Sequence, residues 1–137
     1  MKTTNTRLRY ARFIYLLLTA AFVACVFVQI YIAGIAIFAD VSAWMKHMTF
    51  VHIFGFNLPL FMLVFAILGR MPRWSYWQIF GVFLSIFLMY FTANFKSVVP
   101  FVGPMHVIFA IVLLVLSCFI VKNSWTFIFS QNKSEEE

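Results

Sequence analysis

The chain has 137 residues, 64% of them hydrophobic, 20% aromatic and only 10% charged, and its mean hydropathy is +0.98. Soluble domains average roughly 25% charged residues, so a water-soluble domain is excluded: so few polar groups cannot cover its surface, whereas a bilayer takes apolar surface as it is. Four crossings of about 20 residues each use nearly the whole chain and leave no room for a soluble catalytic domain. The net charge of +6 does not point to nucleic acid, because the cations stand at the ends of the apolar runs. Cys25 and Cys118 lie inside such runs with no C-x-x-C spacing, so they read as small packing residues rather than a disulfide or a thiolate metal site.

The first predicted span covers 13–38, behind Arg7, Arg9 and Arg12, with Gln29 as its one weighty polar residue. Small residues before Cys25 resemble a lipoprotein cleavage box, but the apolar run continues well past it, so cleavage is not expected. A second span, 45–69, ends at Gly69 and is closed by residues 70–73, where a proline and two arginines cannot stay in hydrocarbon. Within it, Pro59 deprives the Gly55 carbonyl of its helical donor and predicts a kink one turn from His52. The third span covers 75–95. The fourth, 104–121, starts at a proline placed in the first turn, where a helix tolerates it best. Aromatic residues 125–129 continue that helix or lie in the interface, and 130–137 reads as a polar, mobile tail.

Lys and Arg give the orientation: Lys2, Arg7, Arg9, Arg12, Arg70, Arg73, Lys122 and Lys133 lie on one side, against Lys46 and Lys96 on the other. Cytoplasmic loops carry the excess. The expected fold is therefore an all-α, integral membrane, antiparallel four-helix bundle with both termini inside, in the plasma membrane.

Helix interfaces in lipid are built from small and occasional polar residues. Four stripes of that kind are present: Ala21, Cys25, Gln29 and Ala33; Thr49, His52, Gly55 and Pro59; Gln78, Ser85 and Thr92 with Gly81; and His106, Ala110, Leu113 and Ser117. Short loops after the second and third spans make spans two and four diagonal to each other.

All three histidines, His47, His52 and His106, fall in the outer halves of their spans. Ionisable residues at that depth usually face the bundle interior and mark function. Two neutral imidazoles from facing helices can hold one metal, and between apolar helices the fitting group is haem b, with His52 and His106 as the metal ligands and His47 and Gln29 near by. Depth argues otherwise. His52 lies about 10–13 Å below the outer end of its helix and His106 about 3–8 Å, at 1.5 Å per residue, so His47 matches His106 better. The competing reading makes His47 an interfacial residue and His52 a packing residue bonded to Gln29. Asn57 reads as a bond between helices and Asp40 as a solvated loop acid.

The run Gln29-Ile-Tyr-Ile-Ala33-Gly34, then Trp44, His47, His52 and Gly55, then Gly103-Pro-Met-His106-Val-Ile-Phe-Ala110, resembles a family of small four-helix bacterial membrane proteins of unknown function. The resemblance covers about residues 13–121; it implies the four-helix fold and a shared histidine pattern, and no activity. The His-x-x-x-Ala pattern is also similar to small haem-binding membrane proteins, including four-helix factors for terminal oxidase assembly. No histidine pair stands on the inner side, so a two-haem path across the membrane is not available. Two functions stay open: a b-type haem used in electron transfer or haem handling near a respiratory complex, and a non-enzymatic helper, accessory subunit or small-molecule channel whose histidines pack or sense pH. Either admits a membrane-complex partner or a homo-oligomer. No Ser-His-Asp set, paired carboxylates or phosphate loop can be assembled from one loop Asp and a glutamate tail, which disfavours a hydrolase or transferase.

Overall fold

The computed structural model describes residues 2–95 and 98–136, with side chains for 6–95 and 98–130. Lys2, Lys96 and Lys133 of the charge count, and the tail beyond Ser130, lie outside the described side chains. Helices account for nearly all of it: α1 (Lys2–Phe38), α2 (Ala43–Phe54), α3 (Asn57–Leu68), α4 (Arg73–Phe95) and α5 (Met105–Glu136), with one 3₁₀ turn at Pro100–Val102. Four helical stretches are long and apolar enough to cross a membrane: Thr6–Phe38, Ala43–Leu68, Arg73–Phe95 and Pro100–Ser130. The protein is an all-α four-helix bundle of multi-pass membrane type.

The second crossing is broken in two, and Pro59 is the reason. With no N–H at Pro59 the Gly55 carbonyl has no helical donor, and the helix is interrupted at Gly55 and Phe56 before α3 resumes. Asn57 turns its amide back onto the Ile53 carbonyl at 2.6 Å and steadies the break from its own chain, not across to another helix as the sequence suggested. The kink sets the packing. Below it, α3 packs on α1 and α4; above it, α2 packs on α1 and keeps its Cα atoms more than 8 Å from α4 and α5 among the described residues. Helices α4 and α5 pair closely, and α5 also packs on α1, so the crossings follow one another around a square with the second and fourth diagonal.

The core runs along the shared axis through Tyr15, Phe22, Val26, Met62, Ile79, Val82 and Ile120. Ser85, Ser117 and Ser124 are buried in it, and each hydroxyl donates to the carbonyl one turn back, at 2.8, 2.6 and 2.6 Å. These serines pack as small residues whose polarity is spent inside their own helix, which hydrocarbon surroundings require. A missing side chain matters at Gly81, where a Cβ would stand 2.9 Å from Leu116 Cδ2.

The stripes expected on the third and fourth crossings hold for Ser85, Thr92, Leu113 and Ser117, which are buried. Two others do not. Ala21 is exposed, the buried line of α1 running instead through Tyr15, Thr19, Phe22, Val26 and Gln29. Thr49 and His52 are exposed as well, because the break above Pro59 swings α2 off the helices they were expected to meet. Cys25 is half-buried and Cys118 exposed.

Chain reversals are closed by backbone and short side-chain bonds. Between α1 and α2 the Asp40 carboxylate accepts the Ser42 N–H at 2.9 Å and its hydroxyl at 2.7 Å. Between α3 and α4 the Met71 N–H donates to Ala66 O and the Arg70 N–H to Ile67 O, the pattern of a Schellman end. Arg12 of α1 joins this turn: its Nε donates to Gly69 O at 2.9 Å while its guanidinium lies 5.3 Å from the centroid of Phe127.

Candidate functional site

Above the kink the Cα atoms of α2 stay more than 8 Å from those of α4 and α5, in the half of the bundle opposite the termini, leaving a gap between backbones that the His52–Tyr90 contact crosses; His47 stands on α2 and His106 on α5. His47 is tied to α1 twice. Gln29 Nε2 donates to His47 O at 2.9 Å, and His47 Nδ1 lies 3.2 Å from Gln29 O. Across the gap, on the first turn of α5, His106 Nδ1 lies 3.0 Å from Met89 O of α4. A carbonyl oxygen only accepts, so in both neutral rings Nδ1 carries the proton and Nε2 keeps the lone pair.

His52 is held differently. Its Nδ1 meets the Tyr90 hydroxyl at 3.1 Å and its ring stands 5.4 Å from the Tyr90 ring. A hydroxyl both gives and takes, so this contact leaves the tautomer of His52 open. The expected bond from Gln29 to His52 is absent; Gln29 serves His47, five residues nearer the outer end of the helix.

Gln29 itself is 6% exposed, and its Oε1 has no hydrogen-bond partner among the described residues. Buried acceptors are seldom left empty. Aromatic rings stand beside two of the histidines: Trp44 lies edge-on to His47 at 5.5 Å, and Phe56 stacks on Tyr90, the partner of His52, at 5.6 Å and on Phe83 at 6.3 Å. Asp40 is exposed in the outer turn. Its carboxyl is held below the usual range, first by the Ser42 hydroxyl, then by the Ser42 N–H, with Lys46 adding to them against a small opposing effect of desolvation.

Sequence reasoning thus named His47, His52, His106 and Gln29 and missed Tyr90, Phe56 and the Met89 carbonyl. One signal for Tyr90 was present: a phenol at membrane depth needs a partner. A backbone carbonyl carries no such mark.

No group of three or more His, Cys, Asp or Glu side chains is assembled among the described residues. What stands here are two imidazoles with matched tautomers, one of them tied to Gln29, whose amide oxygen has no partner among the described residues. The model of a family of unknown function (DUF6220) matches residues 29–95, from Gln29 to the end of α4. The match takes in His47, His52 and Tyr90 and stops short of His106. No curated protein and no solved structure matches the chain.

Proposed function

We propose that this membrane protein holds a b-type haem between α2 and α5, with Nε2 of His47 and Nε2 of His106 as the nitrogens that would hold its iron. The observation that carries the reading is the spent Nδ1 of both rings. Metal-bound histidines ordinarily donate their second ring N–H to a carbonyl or carboxylate, which fixes the ring and makes the other nitrogen a better ligand. Here Gln29 O and Met89 O take that role from two different helices. A flat macrocycle also needs backbones held apart, and the Cα atoms of α2 stay more than 8 Å from those of α4 and α5, with the Trp44, Phe56 and Tyr90 rings near by.

Such a haem would supply one-electron chemistry at the outer face, suited to electron transfer or haem handling beside a respiratory complex. The chain's own part is to orient both imidazoles, to keep water from the ring faces, and to hold His52 with Tyr90 at the edge of the gap. The ligand pair favoured here replaces His52 with His47, because a tyrosine hydroxyl does not prepare His52 for a metal as a carbonyl prepares the other two.

A second reading rests on the same hydrogen bonds: each histidine already has a protein partner, as packing residues of an accessory subunit or helper would. Absorption spectra of the detergent-purified protein with added haem, oxidised and reduced, separate the two. The expected outcome is a low-spin reduced spectrum that His47→Ala and His106→Ala each lose or convert and His52→Ala keeps. Loss in His52→Ala with retention in His47→Ala would move the site to the His52 and His106 pair. A wild-type protein that binds no haem leaves the histidines as packing residues.

A further inference from the structure

At the end of the bundle that carries the termini, the cations are Arg7, Arg9, Arg12, Arg70, Arg73 and Lys122, and the acid among the described side chains, Asp40, stands in the loop at the other end. Five of these six are exposed, and Arg12 is half-buried against Gly69 and Phe127. Trp77 and Trp125, 72% and 57% exposed, and Tyr10 share this end, as amphipathic rings do at the level of lipid headgroups.

One position in this cluster is strained. Arg70 has φ +48°, the left-handed conformation that closes the Schellman end of α3, and it is the only non-glycine with positive φ among the described residues. Glycine is the usual residue there. The neighbouring glycine is committed elsewhere, since a Cβ on Gly69 would stand 3.2 Å from Arg12 Cγ and 3.3 Å from Arg12 N. The chain therefore carries an arginine where glycine would relieve the backbone, and that arginine is exposed, next to Arg73, with no acid beside it among the described side chains. Strain kept at a charged, solvent-facing position points to a use for the charge.

We infer that Arg70 and Arg73 form a binding site for the headgroup of an anionic phospholipid, with Arg9 and Arg12 adding to its positive field. Planar guanidinium groups match the phosphate in geometry and charge. The position of the turn at a helix end beside exposed tryptophans puts that phosphate where a lipid carries it, with its tails along the exposed faces of Trp77 and Phe80.

The test compares melting temperatures of the detergent-purified protein with added phosphatidylglycerol, phosphatidylcholine or inorganic phosphate, and counts bound lipid by native mass spectrometry. Phosphatidylglycerol is expected to bind and to raise the melting temperature, and the other two are not. Arg73→Gln and Arg70→Gly should each weaken phosphatidylglycerol binding about fivefold, the effect of one cation near a charged membrane surface. Without lipid, Arg70→Gly should melt at the wild-type temperature or above it, because the strain is gone, so its loss of the lipid effect cannot be a loss of fold. Lys46→Gln, at the other end, should keep the full effect. The inference is overturned if the double variant Arg70→Gly, Arg73→Gln keeps the wild-type response, if phosphatidylcholine acts as well as phosphatidylglycerol, or if inorganic phosphate alone gives the shift. A lower lipid-free melting temperature for Arg70→Gly removes the strain argument and overturns it too.

Discussion

Gly69 is where α1 meets the end of α3 through one absent side chain. A Cβ there would stand 3.0 Å from Phe65 O and 3.2 Å from Arg12 Cγ, so either the α3 end or the α1 contact has to give. Gly69→Ala is expected to cost about 1–3 kcal/mol, the range for overpacking, and Gly69→Val more. Thermal melts in detergent check the order. Arg12→Ala should also destabilise, through loss of both the bond to Gly69 O and the contact with Phe127. Asp40 offers a pH signature of known sign. Its folded value lies below the ordinary carboxylate range, so its contribution is present at neutral pH and is lost only as pH falls through that lowered value. The difference in melting temperature between wild type and Asp40→Asn should be small, because the group is fully exposed, should stay constant between about pH 8 and pH 5, and should vanish in acid. At this scale the polar residues that matter could be named from the sequence, since Gln29 and three histidines are conspicuous in hydrocarbon; their partners could not, since Gln29 O and Met89 O are backbone atoms that every residue has.

Among the elements, the Pro59 kink decides most. It was legible as a missing N–H, and so was its place one turn from His52. Its effect on helical phase was not: a stripe drawn straight through Thr49, His52, Gly55 and Pro59 assumes one continuous helix, and the break turns the upper half out of line. Pro59→Ala returns a donor to the Gly55 carbonyl and should bring α2 toward α4. Spin labels on Met48 of α2 and Phe91 of α4, both exposed, should then report a shorter distance than in the wild type. On α4 the small residues hold α5 close. Gly81→Leu, whose first added atom already meets Leu116 at 2.9 Å, should lower the melting temperature more than Phe83→Leu. The stripe of α1 was misread for a plainer reason, that lipid and core are equally apolar, so hydrophobicity cannot separate Ala21, which is exposed, from Phe22, which is buried.

For the whole molecule, four crossings and their order around the square followed from run lengths and short loops, and the bundle has that arrangement. Orientation is an expectation from the charge count, which favours both termini inside. In a background with Cys25 and Cys118 replaced by Ala, cysteines at Ser42 and at Ser130 should react with an impermeant thiol reagent from opposite sides of the membrane, Ser42 from outside. Reaction of both from one side contradicts the four-crossing topology.

Helices α1 and α5 are 37 and 32 residues long, about 55 and 48 Å at 1.5 Å per residue, whereas α4 has 23. Hydrocarbon is about 30 Å thick. Both long helices are turned back by loops at the outer end, so their excess stands out together on the side of the termini, with Ala11 and Ile128 still buried there. Backbone amides in that projecting pair touch deuterated solvent whenever the helix frays, while the same hydrogen bonds a few turns along are sealed from it by lipid. In nanodiscs, deuterium uptake along α5 should therefore drop between Phe127 and Lys122, and along α1 near Arg12. The protein carries its own depth gauge, read without any label, and the residue at which exchange slows is the waterline.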